Sequence, residues 1–335
     1  MNDDYLWDRS GTPDPEVQHL EKVLGRFEHS RPAPDFLASV TRPLPPRIQG
    51  TRWWLAAAAI VLLASGIWLD RSLQHRTAWS VASLQGSPRI AGNIAKRNTV
   101  WKVGEWLETD ATSRVVLQVG DLGQIEVAPN SRIMLLKATA AQQQIRLERG
   151  TISAVVTAPP YVFLVHTPSA YAMDMGCAYT LQVADEGSSI LRVAVGWVDL
   201  QHGYRQSLVP AGAAAESRPG IGPGAPYFDD STKRFRQALE IVNFDLQDPQ
   251  ARSDALTKVL DESRPRDAFT LLNLFRRVDS EDRGRLYDRL AVLLPPPPAV
   301  TRQKAVEGDD LSAWWNELGL GHPKKGLKGP PRVEE

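Results

Sequence analysis

The chain has 335 residues and 39 basic side chains against 39 acidic ones, so no overall field draws it to nucleic acid or to a strongly charged partner. Its single cysteine, Cys177, excludes an intrachain disulfide and any zinc site that needs two or four thiolates. Length alone permits two modest domains with connectors.

In chain order, the first expected element is a helix within an N-terminal segment, residues 1–30. Asp14 and Pro15 suit its cap and first turn, and Val17, Leu20, Leu24 and Phe27 recur at helical spacing. A short helix cannot bury such a stripe by itself, so these four side chains are candidate partner-binding residues, with a small self-packed hairpin as the equal alternative. Residues 31–52 are proline-rich and read as an extended spacer.

Residues 53–69 carry no charge and, as a helix, span roughly 25 Å, which predicts one transmembrane helix. Its apolar body includes Trp53, Trp54, Leu55, Ile60, Val61, Leu62, Leu63, Ile67, Trp68 and Leu69, with tryptophans at both ends where headgroups would lie. Flanking arginines are balanced and leave the orientation undecided by charge. A signal-anchor layout places the N-terminus in the cytoplasm and the larger remainder outside.

From 79 to 216 the period changes to two. Val115, Leu117 and Val119, then Ile125 and Val127, Ile133 and Leu135, Ile145 and Leu147, and Leu191, Val193 and Val195 alternate with polar residues, and glycines punctuate the runs. This predicts an all-β domain. Residues 217–230 are rich in proline and glycine and read as a linker without regular structure. Helical spacing returns over 231–321: Phe235, Leu239, Val242 and Leu246; Leu256, Val259 and Leu260 behind Asp248 and Pro249; Leu271, Leu272 and Phe275 after Pro265; Leu286, Leu290 and Leu293 after Ser280; and Leu311, Trp314, Trp315 and Leu318. The expected product is an all-α domain, a small bundle or a stack of hairpins. Residues 322–335 read as a disordered basic tail. The expected fold class is therefore multidomain: an N-terminal helical segment, one transmembrane helix, an all-β domain and a C-terminal helical domain.

No catalytic constellation is visible. The six histidines are scattered without nucleophile or metal spacing, and no phosphate-binding glycine loop occurs. His166 reads as a satisfied strand histidine and Cys177 as core filling. No metal, no cofactor and no enzymatic activity are expected.

The β region resembles the FecR domain. The residues that carry the resemblance are Val103-Gly104-Glu105 with Leu107 and Thr109, Ser113-Arg114-Val115-Val116-Leu117, Asp121-Leu122-Gly123, Val127-Ala128-Pro129-Asn130-Ser131, Leu147-Glu148-Arg149-Gly150, Val165-His166-Thr167-Pro168-Ser169-Ala170, and Val193-Ala194-Val195-Gly196-Trp197-Val198 with Pro210-Ala211-Gly212. The chain departs from the pattern at Cys177, where threonine is common, and no cysteine accompanies His19 to form the zinc site of many anti-sigma factors. The resemblance implies a bacterial inner-membrane regulator whose β domain senses an envelope signal and whose N-terminal segment engages an extracytoplasmic-function sigma factor, with an outer-membrane or other envelope partner on the far side. The alternative is a non-catalytic envelope scaffold that binds peptidoglycan, polysaccharide or protein, for which the C-terminal helices are the best argument.

Overall fold

The computed structural model describes residues 15–25 and 79–318, apart from 246, 309 and 310. A first helix, α1 (Pro15–Leu24), has Pro at its first position and Glu16 in its first turn, both favourable at a helix N-terminus.

Among the described residues eighteen strands follow. They begin with β1 (Trp79–Gln85), β2 (Arg89–Ile90), β3 (Asn93–Ile94), β4 (Val100–Trp101), β5 (Trp106–Glu108) and β6 (Arg114–Val119). Next come β7 (Gly123–Val127), β8 (Arg132–Ala138), β9 (Gln143–Val156), β10 (Phe163–His166), β11 (Tyr171–Asp174) and β12 (Cys177–Val183). The last are β13 (Ser189–Val195), β14 (Trp197–His202), β15 (Arg205–Pro210), β16 (Ala213–Arg218), β17 (Gly222–Pro223) and β18 (Tyr227–Phe228). One sheet runs β4-β1-β6-β7-β9-β12-β13-β16, with β17 and β18 both on β16. The other runs β3-β2-β5-β8-β9-β10-β11-β14-β15.

The long strand β9 belongs to both. Residues 143–149 pair with β8, and residues 150–156 pair with β12. The change of sheet falls at Gly150, where φ is +95° and an added Cβ would lie 2.4 Å from Ser131 Cα, so only glycine fits the corner. The second half of β9 then acts as the crossover that a parallel pair needs, and β10 returns alongside the first half of β9 in parallel register, His166 opposite Arg146.

Alternation decides which side chains enter the core. Val115, Leu117, Val119, Ile125, Val127, Ile133, Leu135, Ile145 and Leu147 are all 0% exposed and pack between the sheets. Trp79 anchors one end, its ring centroid 5.6 Å from Trp101 and 6.1 Å from Phe163, with its indole N–H donated to Gln143 Oε1 at 2.7 Å. Buried hydroxyls stitch the turns: Thr109 Oγ1 donates to the Ala128 carbonyl and accepts from Ser131 N, while Ser131 Oγ accepts from Thr151 N.

Residues 217–230, expected to be an irregular linker, instead carry paired backbone: Ser217 opposes Pro223, and Ala214 opposes Tyr227. Gly222 through Phe228 are buried, which an open connector would not be. The joint is therefore part of the fold.

Helices α2 (Lys233–Phe244), α3 (Pro249–Glu262), α4 (Ala268–Leu274), α5 (Ser280–Leu293), α6 (Arg302–Glu307) and α7 (Ser312–Glu317) follow. Caps explain the starts: Thr232, Asp248, Asp279 and Thr301 accept from Phe235 N, Ala251 N, Asp282 N and Lys304 N. Arginines serve the other ends. Arg252 donates to the carbonyls of Val242 and Arg277, Arg283 to those of Phe275 and Val306, and Arg289 to that of Ser263. The apolar stripes expected from sequence form a second core around Phe235, Leu239, Leu256, Val259, Leu271, Leu286, Leu290 and Trp314.

The expected fold class needs correction at the membrane segment. Among the described residues no helix is long and apolar enough to cross a membrane. The longest, α3 and α5, have 14 residues each, about 21 Å, and both keep a charged face. The span expected at residues 53–69, from Trp53 and Trp54 to Trp68 and Leu69, lies outside the described residues. The described fold is a β region followed by helices.

Candidate binding site on the outer β face

The parallel pair β9/β10 and the antiparallel pair β10/β11 align Arg146, His166 and Tyr171 on one outer row. Glu148 stands two positions beyond Arg146 on the same face. The turn between β10 and β11 is locked by Thr167: its Oγ1 donates to the Ala170 carbonyl and accepts from Ala170 N, each at 2.9 Å, while Ser169 Oγ meets Ser189 Oγ at 2.7 Å. Together Arg146, Glu148, His166, Thr167, Pro168 and Tyr171 line a depression of about 350 Å³.

His166 is its floor. The imidazole is 8% exposed and meets the Tyr171 ring edge-on, centroids 4.9 Å apart at 87°. Its Nε2 is buried and, among the described residues, has no hydrogen-bond partner. The satisfied strand histidine expected from sequence lacks a partner at this one nitrogen among the described residues, where the adjacent strands place Arg146 and Tyr171 beside it. Burial, and then Arg146, push its pKa down to about 4, so the ring is neutral at pH 7. Glu148 accepts from Arg132 Nη1 at 3.2 Å, Arg132 Nε pairs with Glu108 at 2.9 Å, and the Arg132 guanidinium covers the Trp106 ring at 4.0 Å. Arg146 is exposed, and among the described residues no carboxylate lies within ion-pairing distance of it.

Two buried carboxyls lie farther along the same sheet, Asp174 on β11 and Asp199 on the neighbouring β14. Asp199 is 1% exposed; its Oδ2 accepts from Gln201 and Gln206 at 2.7 and 2.8 Å, its Oδ1 has no partner among the described residues, and burial raises its pKa to about 6. Asp174 is 0% exposed, accepts from Gly176 N at 2.5 Å and from the Cys177 thiol, and burial likewise raises it to about 6. Cys177 itself is 4% exposed within the β core, and burial followed by Asp174 pushes its thiol far up, which leaves it protonated and unreactive.

These groups oppose one another in pH. A carboxyl raised from 3.8 to about 6 stabilises the fold fully below 3.8 and loses that contribution as pH rises through about 6; an imidazole lowered from 6.5 to about 4 contributes fully above 6.5 and loses it as pH falls through about 4. Two carboxyls outweigh one imidazole, so stability should fall between about pH 4 and pH 6. Asp199→Asn is expected to flatten that slope and to raise stability at pH 7 by on the order of 2 kcal/mol. Urea midpoints at both pH values check this, and a variant less stable than the parent at pH 7 would show that the charged carboxylate is required.

Of the residues singled out in sequence, Val17, Leu20 and Leu24 lie on α1, where no residue is buried; Leu20 is 59% and Leu24 63% exposed. Phe27 lies outside the described residues. Among the described residues no His, Cys, Asp or Glu cluster could hold a metal. Sequence reasoning marks none of Arg146, Glu148 and Tyr171 as a site residue, although the alternation of charges with Ile145 and Leu147 shows the first two to be outward-facing.

Comparison with known proteins places this face inside a known domain type. Residues 105–199 match the family model described as FecR protein, a stretch that holds the whole depression and both buried carboxyls. No curated protein matches. Two solved structures of a candidate anti-sigma factor from Parabacteroides distasonis share 12% identity with this chain at a TM-score of 0.33, over 40% of this chain. The matched part spans only 63% and 62% of those two chains. The FecR match supports a role in regulatory signal transduction.

Proposed function

With residues 105–199 matched as a FecR domain, we propose that this chain is a non-enzymatic regulator: its β region receives a signal, and α1 holds a sigma factor through Val17, Leu20 and Leu24. The family match carries the reading, and the exposed stripe supports the assignment of the partner-binding element. A helix of 10 residues is marginal alone in water, so a partner that covers its apolar side stabilises helix and complex together. In this reading a signal at the β region shifts the population of chains that hold or release the sigma factor. Attachment to the bacterial inner membrane, with the N-terminus in the cytoplasm and the β region outside, belongs to the same proposal and rests on the sequence; fractionation of cell membranes tests it.

The direct test is co-purification. A sigma factor is expected to accompany the full-length protein and to be lost, by about 100-fold or more, on Leu20→Asp with Leu24→Asp, since each buries a charge in an apolar contact. Retention by the double variant, or no sigma factor with the parent chain, overturns the proposal.

A further inference from the structure

We propose that the depression over His166 binds a small amino-acid-like ligand, one that presents a carboxylate to Arg146 and a hydrogen-bond donor to Glu148. This deepens the reading of the β region as the receiving part of the protein, and rests on it. The wall is built rather than incidental: a buried imidazole whose Nε2 has no partner among the described residues, a phenol held edge-on to it, and a turn locked by Thr167.

Charge decides the ligand class. Arg132 sits between Glu108 and Glu148, which leaves one negative charge in excess, and Arg146 balances it. A neutral site of this kind disfavours a dianion such as phosphate, and suits a molecule that carries both an anion and a donor. Arg146 offers the planar fork that takes a carboxylate in two parallel bonds. Both Glu148 carboxylate oxygens accept from Arg132 Nη1, at 3.2 and 3.3 Å, and each keeps a further lone pair for an ammonium or hydroxyl. The two side chains occupy alternate positions of β9, about 7 Å apart along the strand. That spacing accommodates a carboxylate and an amine on one carbon between them. A volume of about 350 Å³ limits the occupant to a small molecule.

The test uses the full-length protein, calorimetry, and the ring resonances of His166 identified with His166→Gln. Glycine, L-alanine and L-glutamine are the probes, with N-acetyl-L-glutamine, L-glutamine amide and inorganic phosphate as controls. At least one free amino acid is expected to bind and to move the His166 signals, each blocked derivative to bind about 10-fold more weakly or worse, and Arg146→Gln and Glu148→Gln to lose binding with the thermal midpoint unchanged. No binding of any of the three at about 10 mM overturns the proposal, as does equal binding of both blocked derivatives, or of phosphate. No sigma factor enters this assay, so its failure and the failure of the co-purification are separate results.

Discussion

Phe269→Ala is expected to destabilise the protein by about 3–5 kcal/mol, a fall in thermal midpoint of about 10 °C. Phe269 projects from α4 and is 2% exposed. Its ring sits between strands and helices: its neighbours are Trp197 at 6.2 Å and Phe228 at 6.2 Å from the β region, and Trp315 at 5.5 Å from α7. Its ring belongs to the β core, so truncation opens a cavity where strands and helices meet. Because both parts share this contact, one cooperative transition is expected in the parent and a lower single transition in the variant. Differential scanning calorimetry reads both. Two separate transitions in the parent would show that the helices fold independently of the sheets.

Arg277→Ala is expected to cost about 3 kcal/mol at the same boundary. The guanidinium leaves the turn after α4 and donates to the carbonyls of Pro223 at 2.5 Å and Gln206 at 2.9 Å, to Ser207 Oγ at 2.6 Å, and to the Asn273 carbonyl near the end of α4. Burial and Arg205 push its pKa down to about 9, so it remains a cation at neutral pH, and its charge strengthens each of these bonds. Removal strands the Pro223 carbonyl and leaves the Ser207 hydroxyl with only its own bond to the Gly224 carbonyl at 2.6 Å; both residues are buried. Arg277→Lys should recover little, because one ammonium cannot reach acceptors spread around a planar fork. Urea midpoints distinguish the cases, and a lysine variant as stable as the parent would reduce the contact to simple charge.

Much of the β core was legible because its signal is local. Leu117, Ile125, Ile133 and Ile145 sit at alternate positions of their own strands, and a strand with one buried face must show that alternation. The helix starts at Asp248 and Pro249 were legible for the same reason, since a cap acts within a few residues. The depression was not. It exists because β10 runs parallel to β9, and nothing near His166 reveals that Arg146 is its neighbour across the pair. Proline and glycine in 217–230 read as irregular chain, yet that stretch is held by side chains far away in sequence, Arg277 on the Pro223 carbonyl and Asn243 Oδ1 on Ala225 N. Helix α6 escaped because Ala305 is its only buried residue and gives no apolar period, although Thr301 and Gly308 mark its ends.

Hydrogen exchange along α1 tests the central claim most directly. In the free full-length protein the amides of residues 16–24 should exchange fast, as befits a short helix with no buried residue. On addition of the co-purifying sigma factor these amides are expected to slow by about 10-fold or more, and Leu20→Asp with Leu24→Asp to abolish the protection. Unchanged exchange over this segment in a complex that has demonstrably formed would contradict the account.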